Sequence, residues 1–333
     1  MRRAALALVA IMILVIFLPA AVVSLARDGR LPQPGKQGAG SSEPFTDRGP
    51  LIRLYRTDLK QVLELELEDY LVGVVAAEMP ASFELEALKA QAVASRTYTL
   101  RRCRSWGGQG CELSPEPADI CSESTHCQAW LDPGHLDLGW PEDKREELLH
   151  RIKTAVQETA GEIATYRGEP IEAVYHSTCG GQTESSHGLW EGGQVPYLQT
   201  VPCPYCIHSP HYRTEKLISY QALADTLPGT PAQPVTGSLP VEITLFTPGD
   251  RVGRLKIGDY TLEGKELRNR FQLPSLACSF QVDSRGIRAD CKGKGHGVGL
   301  CQYGADGAAR QGQNYHQIIA YYYSGAEITV LYP

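Results

Sequence analysis

The sequence predicts an α+β fold: one domain over residues 51–333, with helices and strands segregated and no regular βαβ alternation. Three observations carry this. Leu63, Leu65 and Leu67 alternate with Glu64, Glu66 and Glu68, the period-two pattern of a half-buried strand. Two helix-length segments follow back to back. A later stretch, 241–292, then reads as several short strands before a terminal helical region. No internal repeat interrupts this order, and 333 residues supply ample material for a core.

Arg2 and Arg3 precede an apolar, uncharged run from Ala4 to Val23. About 20 apolar residues suffice to span a bilayer, and leading arginines favour the cytoplasmic side. Residues 1–26 are therefore expected to form a single-pass anchor in the cell membrane, with the rest of the chain outside. Ser24-Leu25-Ala26 also fits a small-x-small cleavage site, and that reading exports the protein equally. Residues 27–50, rich in Gly, Pro, Gln and Ser, read as a flexible linker.

Leu51–Leu67 reads as two strands. A helix is expected from about Asp69 to Met79, stopped by Pro80, and a second from Phe83 to Arg104. Ser82 is the expected N-cap of the second. Glu84 and Glu86 in its first turn and Arg101, Arg102 and Arg104 in its last match the helix dipole. Residues 103–141 hold four cysteines and two histidines and read as an irregular excursion. A helix over 142–160 ends at Gly161. Strands follow near 162–176, a Pro/Thr/Gly-rich linker spans 226–240, and a glycine-rich loop at 293–299 leads into a helical region over 302–323.

A net charge of −6 argues against nucleic acid as the partner, since phosphate backbones select basic surfaces. The glycine-rich loop matches neither G-x-G-x-x-G nor G-x-x-x-x-G-K-[ST], so a phosphate cradle is not implied.

The residue with the clearest chemistry is Glu78. Leu71, Val74 and Val75 stand at i, i+3 and i+4 of the first helix, and Glu78 falls at i+7 on the same apolar stripe. It also lies in the last turn, where unpaired carbonyls make the local field negative. Apolar surroundings and that field both disfavour the ionised form, which is what a general acid requires. The alternative is an ion pair with Lys89 or Arg96 on the next helix.

Residues 70–80 (YLVGVVAAEMP), 87–98 (ALKAQAVASRTY), 175–181 (YHSTCGG) and 295–305 (GHGVGLCQYGA) resemble, in order, the motifs of the stage II sporulation protein D family. Residues 265–268 (KELR) add to the likeness, which covers 51–333. The resemblance implies a lytic transglycosylase acting on peptidoglycan, with Glu78 as catalytic acid. Glu78 would protonate the oxygen between N-acetylmuramic acid and N-acetylglucosamine. It would then take the proton of the muramic 6-hydroxyl as the 1,6-anhydro ring closes, so paired carboxylates are not needed. By the same resemblance Gln91, Arg96, His176, Ser177, His296, Gln302 and Tyr303 are expected to bind substrate, Gln91 and Arg96 with holding Glu78 in place as the other option. The implied setting is engulfment during sporulation, beside stage II sporulation proteins P and M. A second reading is a non-catalytic glycan-binding module that activates a cell-wall amidase.

Export permits disulfides as well as metal sites among the ten cysteines. Cys121-x4-His126-Cys127 brings three zinc-type ligands into an irregular segment. Some relatives bind zinc on such a run plus a histidine six residues earlier. That position is Pro115 here, leaving Cys111 as the substitute ligand, with Cys103 behind it; disulfides among these four are the alternative. Cys203-Pro-Tyr-Cys206 matches a glutaredoxin tetrapeptide, but Pro210 opposes the helix such a site caps. Cys203 and Cys206 instead join Cys179 and Cys301, in a second metal site or two disulfides. Cys278 and Cys291 flank an expected hairpin and are placed to pair.

Overall fold

β1 (Leu51–Arg56) and β2 (Gln61–Glu66) form the expected antiparallel hairpin, with Ile52 opposite Leu65 and Leu54 opposite Leu63. The computed structural model describes residues 49–134, 140–190, 192–233 and 239–332. The expected anchor, and the linker up to residue 48, lie outside them. Among the described residues no helix is long and apolar enough to cross a membrane.

α1 (Leu67–Glu78) begins two residues earlier than expected, because Leu67 is buried core and its N–H bonds to Pro50 O. It stops where Met79 turns extended, the conformation the following proline imposes. α2 (Leu85–Arg102) starts later than expected, and Ser82 is not its N-cap. The cap position is Glu84, whose N–H is satisfied from across the fold by Asp306 Oδ1 at 2.8 Å. β3 (Ile120–Cys121), within the 103–141 excursion, runs parallel to β1.

α3 (Arg145–Gln157), β4 (Glu162–Tyr166), β5 (Glu169–Pro170) and β6 (Tyr175–His176) follow as the patterning anticipates. β7 (Arg213–Ser219) and α4 (Tyr220–Thr226) come next, with Ser219 capping α4 through the Ala222 N–H. The 241–292 stretch contains β8 (Val241–Phe246), β9 (Val252–Ile257), β10 (Tyr260–Glu263), β11 (Ala277–Asp283) and β12 (Gly286–Lys292). It also holds an unanticipated helix, α5 (Gly264–Phe271), which buries Leu267 and Phe271 at i, i+4. β13 (Leu300–Cys301), α6 (Gln302–Arg310), α7 (Tyr315–Tyr322) and β14 (Glu327–Val330) close the chain.

The strands form small sheets of order β2-β1-β3, β14-β4-β5, β10-β9-β8, β11-β12-β7 and β13-β6, a mixed α+β arrangement. Two apolar cores result. The larger wraps α1 and α2 with α3, α6 and α7; the smaller lies among β7 to β12 with α4 and α5. Cys278 and Cys291, opposite each other on β11 and β12, are disulfide-bonded, as their flanking positions suggest.

Arg96 locks the larger core. The sequence reading puts it on the groove or against Glu78; it does neither, because it is wholly buried on the far side of α2. Its Nε and Nη2 donate to Glu68 Oε1 and Oε2 at 2.8 and 2.6 Å. Further bonds reach Glu162 O at 3.0 Å and Val156 O at 3.2 Å. Glu68 Oε1 also accepts from Tyr332 Oη at 2.6 Å. The pair thus ties α1, α2, the end of α3, β4 and the C-terminal segment together.

Removing one member of such a pair strands a buried charge. Arg96→Met is expected to cost about 3–5 kcal/mol in urea unfolding. Combining it with Glu68→Leu should recover most of that loss.

Candidate active site

A groove opens along the end of α1 between the two cores. Glu78, Tyr98, Arg102, Glu172, Tyr175 and His176 line it from the larger core, and Lys265, Arg268, Gln272 and Leu273 from the smaller. Trp190, Lys294, His296 and residues 124–127 complete its walls.

Glu78 is the last residue of α1, and its carboxyl faces this groove. Glu78 Oε1 accepts the Ala129 N–H at 2.7 Å. Burial pushes its pKa up, while that N–H and the Tyr175 hydroxyl pull it down; burial prevails. The ion-pair alternative does not hold among the described residues, since Lys89 binds Glu86 and Glu158 and Arg96 binds Glu68. The other carboxylate on the groove, Glu172, is engaged by Arg101 and Arg102 at 2.9 and 2.7 Å. Among the described residues the groove therefore presents one carboxyl without a counter-charge.

The end of α1 is held from behind. Gln302 Nε2 donates to Glu78 O at 3.0 Å and to Gln91 Oε1 at 3.2 Å, and Gln91 Nε2 donates to Ser95 Oγ at 2.9 Å. Gln91 and Gln302 are buried and are not among the residues that line the groove; both lie behind the end of α1. Ser177 and Tyr303 also sit behind the wall. Ser177 O accepts the Tyr303 N–H, and the Tyr303 ring packs edge-on to Phe83 at 4.9 Å and beside His208.

His176 and His296 do line the groove, with ring centroids 5.5 Å apart. His296 Nδ1 accepts the Val298 N–H at 3.1 Å, so Nε2 carries the proton and donates to Tyr175 O at 2.8 Å. Burial lowers its pKa to about 4, so the ring is neutral at physiological pH and braces β6. His176 Nδ1 donates to Val298 O at 3.1 Å. Burial and the neighbouring His296 and Arg251 also hold this imidazole neutral. Its Nε2 is buried without a partner among the described residues, leaving an unsatisfied acceptor lone pair beneath the wall.

Cys111, Cys121, His126 and Cys127 converge beside Glu78, their ligand atoms all within 4.8 Å of one another. His126 Nδ1 lies 3.6 Å from Cys111 Sγ, 3.6 Å from Cys121 Sγ and 3.2 Å from Cys127 Sγ. The edges of a zinc tetrahedron are about 3.5–3.8 Å, given Zn–S near 2.3 Å and Zn–N near 2.0 Å. The set fits zinc, with Cys111 in the place left open by Pro115; Cys103 turns to Ser105 instead. A bound zinc would cross-link the excursion two residues before Ala129. Gly73 lets that segment seat closely on α1: a Cβ there would lie 2.3 Å from Trp130 Nε1 and 2.4 Å from Leu131 O. Trp130 Nε1 in turn donates to Tyr70 O at 3.1 Å.

Several groove residues escape sequence reasoning. Ala129 acts through its backbone, which no side-chain pattern reveals. Arg268 and Lys294 fall inside or beside recognised motifs without announcing a role. Trp190, which stacks near His296 at 5.6 Å, had no periodic context. The Cys203–Cys206 tetrapeptide occupies a short 3-10 turn over Pro204–Cys206 with both thiols buried, which is not the exposed helix cap of a redox site.

The Stage II sporulation protein family model, SpoIID, matches residues 55–166. Stage II sporulation protein D of Bacillus subtilis (strain 168) is 35% identical over 84% of this chain and 78% of its own length. The protein of the same name from Bacillus amyloliquefaciens is 34% identical over 86% of this chain and 81% of its own. An amidase enhancer of Bacillus subtilis is more distant, at 26% identity over 78% of this chain and 40% of its own length.

If zinc holds the excursion against α1, its removal should loosen the segment that reaches Glu78. Chelation is expected to raise amide hydrogen exchange across residues 120–131 while α2, anchored by Arg96, stays protected.

Proposed function

The chain belongs to the stage II sporulation protein D family, and on that premise we propose that it is an exported peptidoglycan lytic transglycosylase with Glu78 as its acid and base. The observation that carries this reading is the single carboxyl without a counter-charge among the described residues that line the groove. Hydrolases of the usual kind need two carboxylates, one for the leaving group and one for water or the anomeric carbon. Here Glu172 is held by two arginines, which leaves Glu78 to act alone.

One carboxyl suffices when the nucleophile belongs to the substrate. Glu78, whose pKa burial raises, gives its proton to the glycosidic oxygen as the C1–O bond of the muramic residue breaks. The carboxylate so formed takes the proton of the muramic 6-hydroxyl as that oxygen closes on C1. The acid is thereby regenerated, and no water is consumed. The Ala129 N–H, aimed at Glu78 Oε1, stabilises the carboxylate midway through the cycle.

Charge supports the choice of substrate. Despite the net charge of −6, the groove is lined by Lys265, Arg268 and Lys294. Muramic acid without its stem peptide bears a lactyl carboxylate, and these cations match it. The proposed setting is the outer face of the cell membrane during sporulation, tethered by residues 1–26. The proposed partners are glycan strands and, by family, stage II sporulation proteins P and M. The amidase-enhancer relative supports a second reading, a glycan-binding module that activates an amidase.

Full-length protein incubated with peptide-free glycan strands should release 1,6-anhydromuramic ends, read by mass spectrometry, and Glu78→Gln should release none. Reducing ends would make the enzyme a hydrolase. Binding without cleavage would favour the activating module. Because Glu78 must enter protonated and its pKa is raised, kcat/KM should fall as pH climbs through that pKa; the limb should vanish in no variant that retains Glu78 and its Ala129 contact. Arg268→Ala should raise KM several-fold on peptide-free strands with kcat little changed.

A further inference from the structure

We propose that Cys179, Cys203, Cys206 and Cys301 form a second metal centre, a buried tetrathiolate zinc site behind the groove wall. The four sulfurs come from three separate places: the end of the β6 segment, the Pro204–Cys206 turn and β13. All four residues are at most 2% exposed, and their sulfurs lie within 4.8 Å of one another. Cys179 Sγ and Cys206 Sγ are 3.5 Å apart, near the tetrahedral edge expected for zinc thiolates, about 3.8 Å. Four free thiols gathered in a dry core, each at most a weak donor, have no packing rationale as good as shared coordination.

The surroundings suit thiolate ligands. Cys301 Sγ accepts two backbone N–H groups, from Cys179 and Gly304, each at 3.3 Å. Cys301 is also the N-cap of α6, where the helix dipole favours negative charge. Tyr322 Oη lies 3.1 Å from Cys203 Sγ. Gly304 is needed beside them: a Cβ there would sit 2.6 Å from Cys203 Sγ and 2.0 Å from Tyr322 Oη. Four thiolates around a divalent ion leave a net double negative charge. The buried Arg251 guanidinium approaches it by donating to Cys179 O at 3.1 Å. The Cys-x2-Cys spacing of Cys203 and Cys206 is that of a structural zinc knuckle. Loading releases the thiol protons to solvent and changes no oxidation state.

The centre would staple the parallel pair of β6 and β13, in which Cys301 is in register with His176. It would also fix Gln302, the next residue, which holds the backbone of Glu78. The metal assignment rests on the sulfurs alone and does not depend on the proposed reaction.

Metal content of the full-length chain, purified without chelators, provides the test. Two zinc ions per chain are expected. Cys121→Ser/Cys127→Ser should retain one, with an X-ray absorption shell of four sulfurs near 2.3 Å. Cys203→Ser/Cys206→Ser should also retain one, in a mixed sulfur and nitrogen shell. If that second variant fails to fold, the stoichiometry of the unaltered chain and the shell of the first variant still decide. One zinc per chain, lost in the Cys121/Cys127 variant, would overturn the proposal. So would iron in place of zinc, or two disulfides among the four cysteines in non-reducing peptide mapping.

Discussion

A guanidinium and a carboxylate, both removed from water, fix the geometry on which the groove depends. Arg96 and Glu68 are joined by two bonds of 2.8 and 2.6 Å, and the remaining donors of Arg96 end on backbone carbonyls of α3 and β4. Such a pair adds little net stability against a well-packed apolar alternative. Its worth lies in direction: the planar fork admits one relative placement of α1 and α2. Glu78 sits at the far end of α1, so the placement set at Glu68 is carried along a rigid rod of 12 residues to the carboxyl. Gln302 and Gln91 hold the rod at its other end.

Much of this was legible in the sequence. Glu78 stood out because a carboxylate at i+7 of an apolar stripe contradicts the helix around it, and such contradictions tend to mark function. The Cys/His cluster around His126 is readable because most of its members are close in the chain. Arg96 was misplaced because a motif tells which residues accompany a site, not on which side of a helix each one falls. The N-cap of α2 was missed for a related reason: its partner, Asp306, is more than two hundred residues away. α5 was overlooked inside a strand-rich region, although Leu267 and Phe271 carry the spacing of a short amphipathic helix. The tail of the groove formed by Lys265 and Arg268 depends on that helix.

The groove separates two tasks that catalytic sites often merge. Of the three histidines that line it, His126 turns its Nδ1 to three cysteine sulfurs, while His296 and His176 are neutral, one bracing β6 through Tyr175 O and the other with a spare lone pair. Neither is poised to move protons near neutral pH, so proton traffic in the proposed reaction falls to Glu78. Lys265 and Arg268 stand on the opposite core, and Arg102, on the same core as Glu78, is paired with Glu172, so no ion pair to the acid is found among the described residues. Had one of them neighboured Glu78, it would have favoured the ionised form and lowered the pKa that burial raises.

Gly73 shows how a chain trades local for distant order. Alanine at the middle of α1 would make a better isolated helix, by about 1 kcal/mol. It would also drive a methyl group into Trp130 and the Leu131 carbonyl. The excursion would then ride higher on the helix, and the Ala129 N–H, two residues from the contact, would lift away from Glu78. A residue that carries no side chain thus bears on how acidic the Glu78 carboxyl is. In this sense the acid strength of the groove is written as an absence of volume one and a half turns upstream.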